Sequence, residues 1–230
     1  MVAASERTGV LLMVSQQRTY DPRLAAMRRL IADHLGTLGI LRSDFYRSHP
    51  QGPYHAEMRS PLLLDMAIHT FDAARYLAGA DPVAVYCDDF NLPWSWWTGN
   101  AALTAVFDMT GGLRYVYQGS WSVRGALTPW EAQWRADGAN GTAVWDGEAA
   151  PEAEVLTEVG GTASAPTTRV VADVDRAAPG GLFAPLREFL RALDSGQTPM
   201  GECHDNIKSL AMVFGAMESA AIGRRVPIEP

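Results

Sequence analysis

The strongest apolar pattern in the chain runs from Ser60 to Gly79, where Leu63, Leu64, Met66, Ile68, Phe71, Ala74, Leu77 and Ala78 crowd one segment. Ser60 reads as an N-cap followed by proline at the first helical position, and Gly79 closes the run, so the pattern predicts a helix of about five turns. A helix this apolar is mostly buried. An earlier helix is predicted from Asp21-Pro22 to Gly36, because Leu24, Met27, Leu30, Ile31 and Leu35 recur at helical spacing. Before it, residues 2–7 read as the last turns of a helix, and the apolar run 10–14 after Gly9 reads as a short buried strand. Between the two helices a strand is predicted over 40–47, and 49–59, broken by Pro50, Gly52 and Pro53, reads as a loop.

Past Gly79 the period shortens to strands: 83–90, 101–108, 113–121, 130–137 and 142–146, with two more over 153–159 and 168–173. Gly111-Gly112 and Asp137-Gly138 suit tight connections between antiparallel neighbours. The small, polar stretch 160–168 reads as a mobile loop, and helices return at 180–193 and 205–222. Strands framed by helices imply an α+β fold, an open and mainly antiparallel sheet with helices packed on one face. Trp130, Ala132, Trp134 and Ala136 alternate with Glu131, Gln133 and Arg135, so one sheet face is aromatic there. That face serves either a dimer surface or the common core.

Composition narrows the classes. With 230 residues, 47% hydrophobic and 20% charged, the chain is an ordinary globular protein able to bury a sizeable core. The net charge of −7, with basic residues scattered, argues against a nucleic-acid partner. Two isolated cysteines, Cys87 and Cys203, suggest neither disulfides nor a zinc site, and a cytoplasmic setting is expected. The run 10–14 is far short of the ~20 residues of a membrane span.

On the 60–79 helix, Asp65, His69, Asp72 and Tyr76 share one narrow polar stripe. Asp65 and His69 stand four apart, within mutual reach, and a carboxylate beside an imidazole can fix its tautomer and raise its basicity. Such a pair could take up a hydroxyl proton. The same spacing also fits a plain solvated stripe with an incidental Asp-His pair, and, without a third ligand, fits a metal site poorly. His49 and His55, in the loop, are expected to be solvent-exposed. Trp94, Trp96 and Trp97 could stack on a sugar ring, though a hydrophobic plug or a subunit contact suits them better.

The string from Pro61 to Gly79, with Asp65, His69, Asp72 and Arg75 at their spacings, resembles the signature of the Gfo/Idh/MocA oxidoreductases, approximately L-x-D-x-G-x-H-x-x-D-x-x-R-x-L-x-G. Ala67 stands where that family usually has glycine. The stretch from Val14 through Arg18, Tyr20 and Pro22 to Gly36-Thr-Leu-Gly39 is similar to the family's Arg-Tyr-x-Pro segment and Gly-x-Leu-Gly turn. Phe189, Gly196, Pro199, Asn206 to Ser219 and Gly223-Arg-Arg-Val-Pro227 resemble its closing helices and final Val-Pro.

The resemblance implies a two-domain enzyme, with a Rossmann domain that binds NAD or NADP followed by an α+β domain that binds a sugar, inositol or related polyol. By position, His69 becomes the proton-transfer residue and Asp65 the substrate-contacting or orienting carboxylate, with Asp72 and Arg75 structural. Residues 1–20 are then a remnant of the end of a dinucleotide-binding domain, and 21–230 the substrate and oligomerisation domain. No Gly-x-Gly-x-x-Gly occurs in the sequence, and the family's Glu-Lys-Pro, source of its catalytic lysine, is likewise missing. The expected protein therefore lacks a cofactor site of its own and is not redox-competent alone. Its expected partners are a sugar-like substrate, further copies through the sheet face, and a cofactor domain from elsewhere. The alternative is a Rossmann-free relative that binds a sugar-like ligand, assembles with a full-length partner, or performs redox-neutral proton transfer.

Overall fold

Pro22–His34 forms a helix because Asp21 caps it, accepting the Arg23 backbone N–H at 2.8 Å, and because its apolar stripe finds a sheet to cover. The computed structural model describes residues 1–158, 160 and 165–229. Their helices are α1 (Val2–Thr8), α2 (Pro22–His34), α3 (Ile68–Ala78), α4 (Phe183–Ser195) and α5 (Cys203–Ile222). The strands are β1 (Leu38–Tyr46), β2 (Pro82–Phe90), β3 (Ala102–Met109), β4 (Arg114–Ser120), β5 (Gln133–Gly138), β6 (Gly141–Trp145), β7 (Glu152–Leu156), β8 (Thr167–Val171) and β9 (Val226–Pro227). All nine join one sheet in the order β8-β7-β6-β5-β1-β4-β3-β2-β9, and only the β1–β4 pairing is parallel. The fold is thus the expected α+β, an open and mainly antiparallel sheet.

Alternation decides which face is covered. Leu41, Ser43 and Phe45 of β1, Tyr115 and Tyr117 of β4 and Ala105 and Phe107 of β3 are fully buried beneath α2, α3 and α5. The opposite face carries Ile40, Tyr86 and Val144 beside the ion pairs Arg42–Asp44 and Arg135–Asp137, and it lies open. Trp134 and Ala136 point to the covered side and are buried, so the aromatic alternation belongs to the core and the polar one, Gln133 and Arg135, to the open face. Trp130 departs from both, 42% exposed where Ala132 takes a left-handed φ of 68° before β5 begins.

Several expectations need correcting. The run 10–14 is not a buried strand: Val10 is 64% exposed, and among the described residues the segment makes one antiparallel bridge, Met13 to Glu202, and joins no ladder. Ser60 does not cap with its side chain. Its hydroxyl donates to Asp89, while its carbonyl accepts the first helical bond from Leu64 N at 3.0 Å. The expected loop 49–59 contains a short helical turn, Pro53–Glu57. The strand end expected at Val159 and residues 161–164 of the loop expected over 160–168 lie outside the described residues. No helix among the described residues is long and apolar enough to cross a membrane.

Candidate active site

The helix predicted over 60–79 opens with a π-helical segment, Leu62–Ala67, before α3 proper. That opening changes the geometry of the polar stripe. Bonding from i to i+5 widens the turn, so residues four apart straddling it no longer stack as they do on an α-helix. Asp65 lies in the widened segment and His69 beyond it.

The two expected site residues accordingly take different partners. His69 Nδ1 lies 2.9 Å from Gln16 Oε1. Asp65 Oδ2 lies 3.3 Å from His55 Nε2 and 3.5 Å from the Tyr54 hydroxyl, both on the Pro53–Glu57 turn. His55 is 2% exposed, contrary to the solvent exposure expected of a loop histidine. Its ring packs against Trp97 and Trp121, with centroids 5.0 and 5.7 Å away, and its Nδ1 accepts the Gly52 N–H at 2.9 Å. The proton of His55 therefore sits on Nε2 and is donated to Asp65. Trp97 stacks on Trp121 as a hydrophobic plug, while Trp94 and Trp96 stay exposed.

His69 lines a small cavity of about 230 Å³ with Gln17, Arg18, Asp21, Met66, Trp130 and Glu131. Burial, then the Arg18 cation, hold the His69 pKa below its ordinary value, with Asp65 pulling the other way. Arg18 donates to the Thr70 hydroxyl at 2.9 Å and lies over the Phe45 ring, and burial lowers its pKa to about 10. A neutral imidazole, an adjacent guanidinium and an indole face thus border one concavity. Such a set can bind a hydroxylated carbon skeleton, accept a hydroxyl proton and stabilise the developing oxyanion.

Asp72 and Arg75 face α5 instead. Asp72 Oδ1 accepts from Ser209 at 2.6 Å and Asn206 at 3.2 Å, and Arg75 pairs with Asp205 at 2.7 Å and Asp81 at 2.8 Å. Burial raises the Asp72 pKa against these bonds. Both residues hold α3 against α5.

Sequence reasoning missed Gln16, Trp130 and Glu131 as neighbours of His69. Gln16 and Arg18 did lie in the segment that carried the family resemblance. Trp130 could be placed on a face by alternation, but not on the wall of the cavity that His69 lines, because its placement follows from the left-handed turn at Ala132. The glycine pairs Gly111-Gly112 and Gly138 with Gly141 lie in the β3–β4 and β5–β6 hairpins and open no helix. These glycines do not fit a dinucleotide pyrophosphate, which needs backbone N–H groups at a helix start.

Residues 24–144 match the family model for the GFO/IDH/MocA C-terminal domain. The chain is 29% identical to D-apiose dehydrogenase of Paraburkholderia graminis over 100% of its own length and 62% of the relative's. It is 25% identical to the uncharacterised protein y4oX of Sinorhizobium fredii over 97% of its length and 64% of that protein's. It therefore spans under two thirds of the length of both relatives. Among solved structures, an oxidoreductase from Agrobacterium radiobacter, in complex with NAD+, L-tartaric acid and magnesium, superposes with a TM-score of 0.81. That likeness covers 98% of this chain and 67% of the other at 22% identity, and it establishes a shared fold.

Proposed function

The chain belongs to the Gfo/Idh/MocA family, whose C-terminal domain it contains, and on that premise we propose that it is the substrate-binding part of an NAD(P)-dependent oxidoreductase acting on a CH–OH group of a sugar, inositol or related polyol. The observation that carries this reading is His69, held with lowered pKa at the wall of a cavity that also offers Arg18 and Trp130. In the proposed reaction His69 accepts the proton of the substrate hydroxyl, and the Arg18 cation favours the oxygen that loses it. Asp65, steadied by His55 and Tyr54, anchors a neighbouring hydroxyl. Trp130 offers its indole to the C–H face of the ring. A hydride acceptor, NAD or NADP, would be presented by residues outside this stretch, and the open sheet face would carry contacts between copies.

The test joins this chain to the N-terminal remainder of the D-apiose dehydrogenase relative and follows NAD(P)H formation with a panel of polyols. Turnover is expected with at least one polyol, falling about 100-fold or more in His69→Ala. A folded, NADH-binding fusion that oxidises none of them contradicts the proposal, and proton exchange without NAD(P)H formation would favour redox-neutral chemistry. The chain alone is expected to bind no NAD(P)H measurably, and micromolar affinity would overturn that part.

A further inference from the structure

His69 is fixed from outside its own helix. Gln16 Oε1, 2.9 Å from Nδ1, belongs to the segment 53 residues earlier. An amide oxygen only accepts, so the contact puts the ring proton on Nδ1 and leaves the Nε2 lone pair unused. Gln16 is itself immobilised. It is 5% exposed, its N–H donates to the Val14 carbonyl at 3.0 Å, and its carbonyl accepts the Thr19 hydroxyl at 2.8 Å.

The chemistry of the amide matters as much as its place. The charged groups around the ring are Arg18 from the Gln17–Tyr20 turn, Asp65 from the helix of His69, Asp21 from the cap of α2 and Glu131 from the approach to β5. A carboxylate at position 16 would also accept from Nδ1–H, but it would favour the imidazolium, which cannot take another proton. A glutamine orients the ring without adding charge.

We infer that Gln16 is a positioning residue that holds His69 as the neutral Nδ1–H tautomer, so that Nε2 is the atom that accepts a substrate proton. This rests on the reading of His69 as the proton-transfer group. When Nε2 takes the proton, the hydroxyl O–H bond breaks, the ring becomes imidazolium, and Nδ1–H keeps its bond to Gln16.

The test is long-range proton–nitrogen NMR on the whole chain labelled with 15N-histidine, with the His69 signal among the five histidines assigned through His69→Asn. Above its pKa, His69 is expected to give the Nδ1–H pattern. Gln16→Met, of similar volume, should shift it toward the Nε2–H form that free histidine prefers, while the other four histidine signals report that the fold is kept. Gln16→Glu should retain Nδ1–H and move the His69 pKa up by about one pH unit. An Nε2–H pattern in the wild type, or one unchanged by Gln16→Met, overturns the inference. No cofactor or substrate is needed, so a fusion without polyol activity but with the expected tautomer would sink the functional reading alone.

Discussion

Asp65 leans on His55, not on His69. The carboxylate accepts from His55 Nε2 at 3.3 Å, while the histidine one turn further along its own helix bonds Gln16. The helix thus presents a carboxylate and an imidazole that are oriented by two different segments, the Pro53–Glu57 turn and the stretch before α2.

If His55 is the support of Asp65, truncating it should be felt in stability. His55→Ala empties a site against Trp97 and Trp121 and leaves Asp65 only the Tyr54 hydroxyl as donor, an expected loss of about 2–4 kcal/mol. His55→Gln, which keeps a donor, should lose less. Urea denaturation of both variants measures the difference, and equal losses would mean that packing alone matters.

The tie between α3 and α5 makes a second prediction. Asp72→Ala strands the Ser209 hydroxyl and the Asn206 amide, an expected cost of about 1–3 kcal/mol. Asp72→Asn keeps an acceptor and removes a carboxylate whose ionisation burial already disfavours, so its cost should stay below about 1 kcal/mol. Thermal or urea unfolding of the two variants provides the comparison.

Acidification should weaken the fold partly through residue 69. Its folded pKa lies below the ordinary 6.5, so as the pH drops under about 6.5 the unfolded chain binds a proton that the folded chain still refuses. The contribution is fully present above that pH and is lost as the pH falls through the folded value. His49, lowered by burial and by His55, acts with the same sign. Urea midpoints at pH 7.5 and 5.5 should therefore differ more for the wild type than for His69→Gln, and parallel behaviour would exclude this role for His69.

Gly99 seats the tryptophan loop on the start of the site helix. A side chain there would meet the carbonyls of Met58 and Arg59 and the Pro61 ring, beside the bond from Asn100 N to Arg59 O at 2.7 Å. Gly99→Ala should destabilise by about 1–3 kcal/mol, read from the denaturation midpoint.

What the sequence made legible follows the range of the interactions. Helices such as α2, with its Asp21-Pro22 opening, and the strand series from β2 to β8 are written in local periodicity and turn residues. The family signature singled out Asp65 and His69. The π-helical opening left no local mark, and it undoes the i to i+4 pairing on which the Asp65–His69 contact depended. His55 read as an exposed loop residue because its burial comes from Trp97 and Trp121, both more than 40 positions away in the chain. Gln16 reaches His69 across 53 residues, a contact that no spacing rule encodes. The same holds for β9, whose two residues pair with β2 from the far end of the chain.

The cavity beside His69 is the proposed polyol site, and a titration of the chain with myo-inositol, D-apiose and related polyols, followed by NMR at the His69 ring and the Trp130 indole, tests that proposal most directly. A saturable shift of both signals, lost in Asp65→Asn with the fold retained, and lost at the Trp130 indole in His69→Asn, is the predicted result. Polyols at hundreds of millimolar (an order-of-magnitude ceiling for weak carbohydrate binding) that leave both signals unmoved would contradict it.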